Sequence, residues 1–199
     1  MIPTLSDRPT RVQKAPPIFR FKSADEQTTV SLALDFYALS TSAYVHWEDF
    51  WTELQHIHVA AQEVYAPGYA TRVGLRYVNQ FTFNNTNLRN VEALPEFLRP
   101  ELVVLLTEKA WTTPLELLSQ LVLEGQSETE RLALRVGFKQ REPEPFVLLD
   151  LDYFIEGNIS FERLEDFYQC AHDVIYRAFR WAIREDKLAL FGPLPVGES

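Results

Sequence analysis

The chain has 199 residues, is 46% hydrophobic and carries a formal net charge of −9. That length and composition predict one globular domain with a sizeable core. The acidic balance argues against broad nucleic-acid affinity, because a phosphate backbone would be repelled unless positive charge is locally concentrated. A single cysteine, Cys170, excludes an intrachain disulfide. Together with an N-terminus that lacks the apolar stretch of a signal peptide, it leads us to expect a reducing, cytoplasmic setting. No run approaches the ~20 apolar residues of a membrane helix, so no membrane association is expected.

Residues 1–17 are Pro-rich and mildly basic (Arg8, Arg11, Lys14) and read as a flexible arm. Residues 18–23 alternate apolar and basic, which predicts a strand. Ala24-Asp25-Glu26 supplies a turn, and residues 28–39 predict a second strand. From Ser42, expected as the N-cap, to Tyr65 the period becomes helical. Tyr44, Trp47, Trp51, Leu54, His58 and Ala61 fall on one stripe, and Pro67-Gly68 ends the helix.

Residues 70–83 alternate strictly and are the clearest strand. Asn84–Asn87 is a loop signal. Leu98–Thr107 predicts a short helix, and residues 114–124 fit helix or strand equally. Residues 131–139 and 146–156 predict two strands joined by a Pro-rich turn. Asn158 or Ser160 caps a long final helix from Phe161 to about Glu185, and residues 193–199 read as a tail. The expected fold is α+β, an antiparallel sheet of about six or seven strands with two long helices on one face. It forms one domain over residues 18–192.

The chain also contains a faint copy of itself. Moved forward by 117 positions, residues 21–65 fall without a gap on 138–182, with ten identities that include Phe21/Phe138, Lys22/Lys139, Leu32/Leu149, Leu34/Leu151, Asp35/Asp152 and Phe50/Phe167. Roughly three would be expected by chance. Repetition predicts pseudo-equivalent strand-strand-helix units.

Side chains alternate across a strand, so the sheet face opposite the helices can be read off. It gathers Arg20, Lys22, Arg72, Arg76, Arg135 and Lys139 against Asp35, Asp150 and Asp152, with the aromatic Tyr37 and Phe154. Gly74 and Gly137 would let a ligand approach closely. Cross-strand salt bridging on a solvated face accounts for such a pattern. So does a groove for an anionic ligand, with arginines as bidentate clamps.

Other chemistry is thinly represented. Asp150-x-Asp152 places two carboxylates on one side of a strand, a spacing that suits a divalent ion, but spacing alone supplies no third ligand. His56 and His58 stand two apart on a helix and diverge, as do Cys170 and His172. Nucleotide-binding, metalloprotease and nucleophile-elbow motifs are absent from the sequence. No catalytic residue, metal centre or cofactor is expected.

The strand Arg72-Val73-Gly74-Leu75-Arg76-Tyr77-Val78-Asn79 resembles the pattern R-x-G-L-R-Y-x-N. With Tyr44-x-x-Trp47-x-x-Phe50, Leu149-Asp150-Leu151-Asp152 and a final helix carrying His172 and Phe179, it resembles a sporadically distributed, uncharacterised family of bacterial and archaeal proteins over roughly residues 18–192. The resemblance implies no defined activity. The patchy distribution of that family points to mobile genes, stress or defence against phage. Its members carry a further N-terminal strand and helix, where this chain has the Pro-rich arm.

These observations lead us to expect a non-enzymatic binding or interaction module. Arg72, Arg76, Arg135 and Lys139 would contact an anionic ligand or an acidic partner protein, and Asp35 and Asp152 would orient the arginines. A metal-dependent nucleotide- or phosphate-processing enzyme using Asp150 and Asp152 is the rival. A structural subunit of a larger assembly or oligomer is the third reading.

Overall fold

In the computed structural model, residues 16–108, 116–140 and 144–191 are described. The Pro-rich arm up to residue 15, Trp111, the centre of the Pro-rich turn and the tail lie outside them. The chain divides into two compact units, Met1–Ala66 and Pro67–Ser199, within the stretch that the sequence presents as one domain. The described residues form seven strands, but not one sheet. Three make one antiparallel sheet and four make another.

The first unit holds β1 (Phe19–Lys22), β2 (Thr28–Leu32), β3 (Tyr37–Thr41) and α1 (Trp47–Tyr65). The β1–β2 turn is built around Asp25. Its carboxylate accepts from Ser23 Oγ and from the Gln27 N–H, while Glu26 takes the left-handed conformation (φ 60°). The single strand expected over 28–39 breaks at Ala33–Phe36. The Ala33 N–H donates to the Phe36 carbonyl at 2.8 Å, and β3 folds back on β2. Leu34, 89% exposed, and Asp35 form the tip of that turn. Phe19 and Phe21, which alternation directs inward, are exposed.

Helix α1 begins later than Ser42 implies. His46 is its N-cap, and Glu48 and Asp49 complement the positive end of the helix dipole. Trp47, Leu54 and Ala61 are buried, two turns apart on the expected stripe. Ala66 closes the helix in the left-handed conformation (φ 42°), and Pro67 cannot continue it.

The second unit holds β4 (Ala70–Thr82), β5 (Glu116–Glu124), β6 (Glu130–Lys139) and β7 (Phe146–Ile159), in the order β4-β7-β6-β5 and antiparallel throughout. The ambiguous segment is therefore a strand. It pairs with β6, so its apolar run is completed by a neighbour the local sequence does not contain. Between β4 and β5 lie α2 (Phe83–Thr86) and α3 (Pro100–Thr107). The link between them buries Leu94, Phe97 and Leu98 completely. Phe97 packs edge-on to Phe81 and Phe191.

Helix α4 (Leu164–Ala182) packs on β7 and β4. It buries Leu164, Phe167, Ala171, Ile175 and Ala182, an amphipathic spacing. Beneath it Val73, Leu75, Leu134, Val136, Phe138, Leu149, Leu151 and Tyr153 form the core face of the sheet. No helix among the described residues is long and apolar enough to cross a membrane.

The 117-residue spacing has a geometric counterpart. Adding 117 to the bounds of α1, 47 and 65, gives those of α4, 164 and 182. Phe19 faces Leu32 as Val136 faces Leu149, and Phe21 faces Val30 as Phe138 faces Val147. The two segments part where β2 ends. β7 continues as one strand for 14 residues, with β4 on one edge and β6 on the other. In the first unit the corresponding segment satisfies one edge by folding its own second half back.

Candidate binding face

The four-stranded sheet has one face under α4 and one opposite. Register and alternation place Arg72, Gly74, Arg76 and Val78 of β4 on the opposite face, with Asp150, Asp152, Phe154 and Glu156 of β7. Arg131, Arg135 and Lys139 of β6 and Glu116, Gln120 and Glu124 of β5 complete it. Five cationic and five anionic side chains share this face, so it is charge-balanced as a whole, where the sequence leads one to expect a basic surface.

The centre is asymmetric. Arg76 Nε and Nη2 donate to the two oxygens of Asp150, both at 2.7 Å, in bidentate geometry. Arg135 Nη1 donates to Asp150 Oδ2 at 3.2 Å, and its Nε donates to Gln120 Oε1 at 2.7 Å. Arg72 Nη2 donates to Asp152 Oδ2 at 3.2 Å, and its guanidinium lies over the Phe154 ring, 4.5 Å from the centroid. Three guanidiniums thus stand over two carboxylates. The Asp150 and Asp152 side chains are 10% and 12% exposed, so the anions are covered, while Arg76 and Arg72 face solvent and Arg135 is half-buried. The bond to Asp150 pushes the Arg76 pKa further up.

Arg72, Arg76, Arg135 and Asp152 are therefore brought together as expected from alternation. Asp150, expected on this face but not as a residue orienting the arginines, is the carboxylate on which Arg76 and Arg135 converge. Lys139 lies at the margin and pairs with Glu116 at 3.5 Å. Asp35 stands in the β2–β3 turn of the first unit, and the arginines' ion pairs are with carboxylates of their own sheet. Arg20 and Lys22 also belong to the first unit; Lys22 pairs with Glu26.

The glycines on the face differ in use. A Cβ at Gly74 would meet Phe154 Cβ at 3.1 Å and Arg72 Nη1 at 3.4 Å, so Gly74 makes room for the Arg72–Phe154 stack. A Cβ at Gly137 would find only ordinary contacts.

A second polar cluster lies on the helix side of the sheet. Tyr153 Oη donates to Glu130 Oε2 at 2.7 Å, and the Gln126 N–H donates to Tyr153 Oη at 3.1 Å. Cys170 Sγ is 4.0 Å from the same hydroxyl. Burial pushes the Tyr153 phenol and the Cys170 thiol up, away from phenolate and thiolate chemistry. Glu130 and Tyr153 escape sequence reasoning because a buried Glu looks like any strand-end Glu until its partner, 23 residues on, is in place.

Two of the four histidines have polar partners. His58 Nδ1 is 2.6 Å from Tyr37 Oη, and His172 Nδ1 is 3.6 Å from Asp173. Among the described residues no group of three or more His, Cys, Asp and Glu is placed to hold a metal ion. A hollow lined by Phe83, Asn84, Leu88, Glu92, Gln140 and Glu144 includes none of the expected site residues. No protein-family model, curated protein or solved structure matches the chain.

Proposed function

We propose that the chain is a non-enzymatic binding module. Its ligand is an anionic group or an acidic partner surface, engaged by Arg72, Arg76 and Arg135 with Lys139 at the margin. The reading rests on one observation: three guanidiniums held over two covered carboxylates on the sheet face opposite α4. Buried acceptors fix the arginine rotamers before a ligand arrives, which lowers the entropy lost on binding. Guanidinium forks suit carboxylate and phosphate oxygens. The surrounding negative charge disfavours long polyanions and favours a compact anion or a short acidic segment.

The test is a pull-down from lysate at low salt. It compares the wild type with a folded Arg72→Ala/Arg76→Ala variant, and the bound fraction is analysed for protein and nucleic acid. A partner recovered by the wild type and lost in the variant supports the reading. Equal recovery, or nothing recovered by either, overturns it and reduces the arginines to salt-bridge partners within the sheet.

A further inference from the structure

The open edge of the four-stranded sheet is unusual in its chemistry. Among the described residues β5 is the terminal strand, paired with β6 only. Its sequence is Glu116-Leu-Leu-Ser-Gln120-Leu-Val-Leu-Glu124. Edge strands in natural proteins are commonly protected by lysines, prolines, bulges or shortness. β5 has nine residues, no lysine or proline, and an unbroken register with β6. It carries apolar side chains on both faces, and Leu118 (75% exposed), Leu121, Val122 and Leu123 are all exposed.

Two further features say what fits this edge. The strand is nearly palindromic about Gln120: Glu116 mirrors Glu124, Leu117 mirrors Leu123, and Leu118 mirrors Val122. The backbone phase agrees. The Gly125 N–H donates to the Glu130 carbonyl at 2.7 Å, which marks those two as a hydrogen-bonded pair. Alternation then makes 123/132, 121/134, 119/136 and 117/138 the other hydrogen-bonded pairs of the β5–β6 ladder. Leu118, Gln120 and Val122 therefore turn their N–H and C=O groups toward the open side.

We propose that β5 pairs with β5 of a second copy of this chain. The pairing is antiparallel about a two-fold axis through Gln120 and joins two four-stranded sheets into one of eight strands. In that register Gln120 opposes Gln120 of the second copy, and Leu118 opposes Val122. On the helix side Leu117 meets Leu123 and Ser119 meets Leu121, extending the core face across the join. The terminal glutamates oppose each other, but each has a cation on its own β6. Lys139 is 3.5 Å from Glu116, and Arg131 is the cross-strand partner of Glu124. Across the join the charges run plus, minus, minus, plus. Every outward backbone group of β5 is satisfied in this pairing, which is how strand addition gains affinity. The inference does not depend on the arginine face.

The test uses the full chain. Size-exclusion chromatography with light scattering over a dilution series is expected to give twice the 23.1 kDa chain mass at the upper end. Leu118→Lys/Val122→Lys sets lysines opposite each other across the join. Both positions are already exposed, so the fold should persist by circular dichroism while the dimer is lost. Gln120→Cys in a Cys170→Ser background reads the register, because a two-fold hydrogen-bonded pair stands about 5.5 Å apart at Cα, within reach of a short bis-maleimide cross-linker. It should give a covalent dimer with that reagent, and Glu124→Cys should not. A wild type that is monomeric at every concentration overturns the proposal and leaves the edge to a different strand. So does a dimer that the lysines do not disturb, or the absence of a cross-link at position 120.

Discussion

Single residues in this chain carry more than their type announces. Gly125 is the sharpest case. A Cβ there would come within 2.6 Å of Glu130 Cβ and of Tyr153 Oη, and 3.0 Å from the Glu130 backbone carbon. Backbone and a buried ring cannot yield as a flexible side chain can. Gly125→Ala should therefore destabilise the chain by about 1–3 kcal/mol, as overpacking does. Gly137→Ala, whose Cβ has no neighbour closer than 3.6 Å, should be neutral or slightly stabilising. Urea titration of the two variants checks both.

His58 gives a pH dependence. Burial holds its pKa below the ordinary histidine value, while its Nδ1 is hydrogen-bonded to Tyr37 Oη. Below the ordinary value the unfolded chain takes up a proton that the folded chain resists, so the unfolded state gains as pH falls. Stability should decline between pH ~7.5 and ~5.5, and His58→Gln should flatten that decline. An identical slope in the variant would show that other groups set it.

At the scale of elements, 117-residue counterparts share bounds and register but not surroundings. Phe167 on α4 is buried and stacked on Tyr153, with ring centroids 5.9 Å apart. Its counterpart Phe50 on α1 is half-buried, against Tyr44 and Trp47. Phe167→Ala should cost about 3–5 kcal/mol, the usual range for a large buried aromatic, and Phe50→Ala clearly less. Thermal or urea denaturation of the pair measures the difference. Equal costs would mean that half-burial understates how firmly Phe50 is held. The helices were legible because an apolar stripe repeats in about 19 residues whatever lies beneath it. The break at Ala33–Phe36 was not. Leu32, Leu34 and Phe36 keep the alternation of a strand, and nothing local records that the edge beside β2 would be filled by β3.

On the scale of the whole molecule, the same limit decides the sheets. Alternation identified the segments around Arg72, Arg135 and Leu149 as strands, but it does not state which strand neighbours which. A single sheet and a division into three and four strands present the same pattern to a reader of sequence. The order β4-β7-β6-β5 shapes the proposed binding face, since it puts β7 between β4 and β6 and so sets Asp150 between Arg76 and Arg135. The same order leaves β5 at an edge with its leucines exposed.

By itself the sequence determined the α+β class, most strands, and the gathering of Arg72, Arg76, Arg135 and Asp152 on one side of their strands, and it marked the stretches that become α1 and α4. All of these follow from periodicities of two or 3.6 residues within a short window. The expectation that both helices lie on one face of one sheet was wrong: α1 belongs to the first unit and α4 to the second. Only the tertiary structure decided that the seven strands form two sheets, that Asp35 ends in a turn of the first unit, and that Asp150 anchors the arginine cluster. It also decided that Glu130 and Tyr153 meet beneath α4. Each of these depends on partners tens of residues apart, brought together by burial and backbone pairing, which local alternation does not encode.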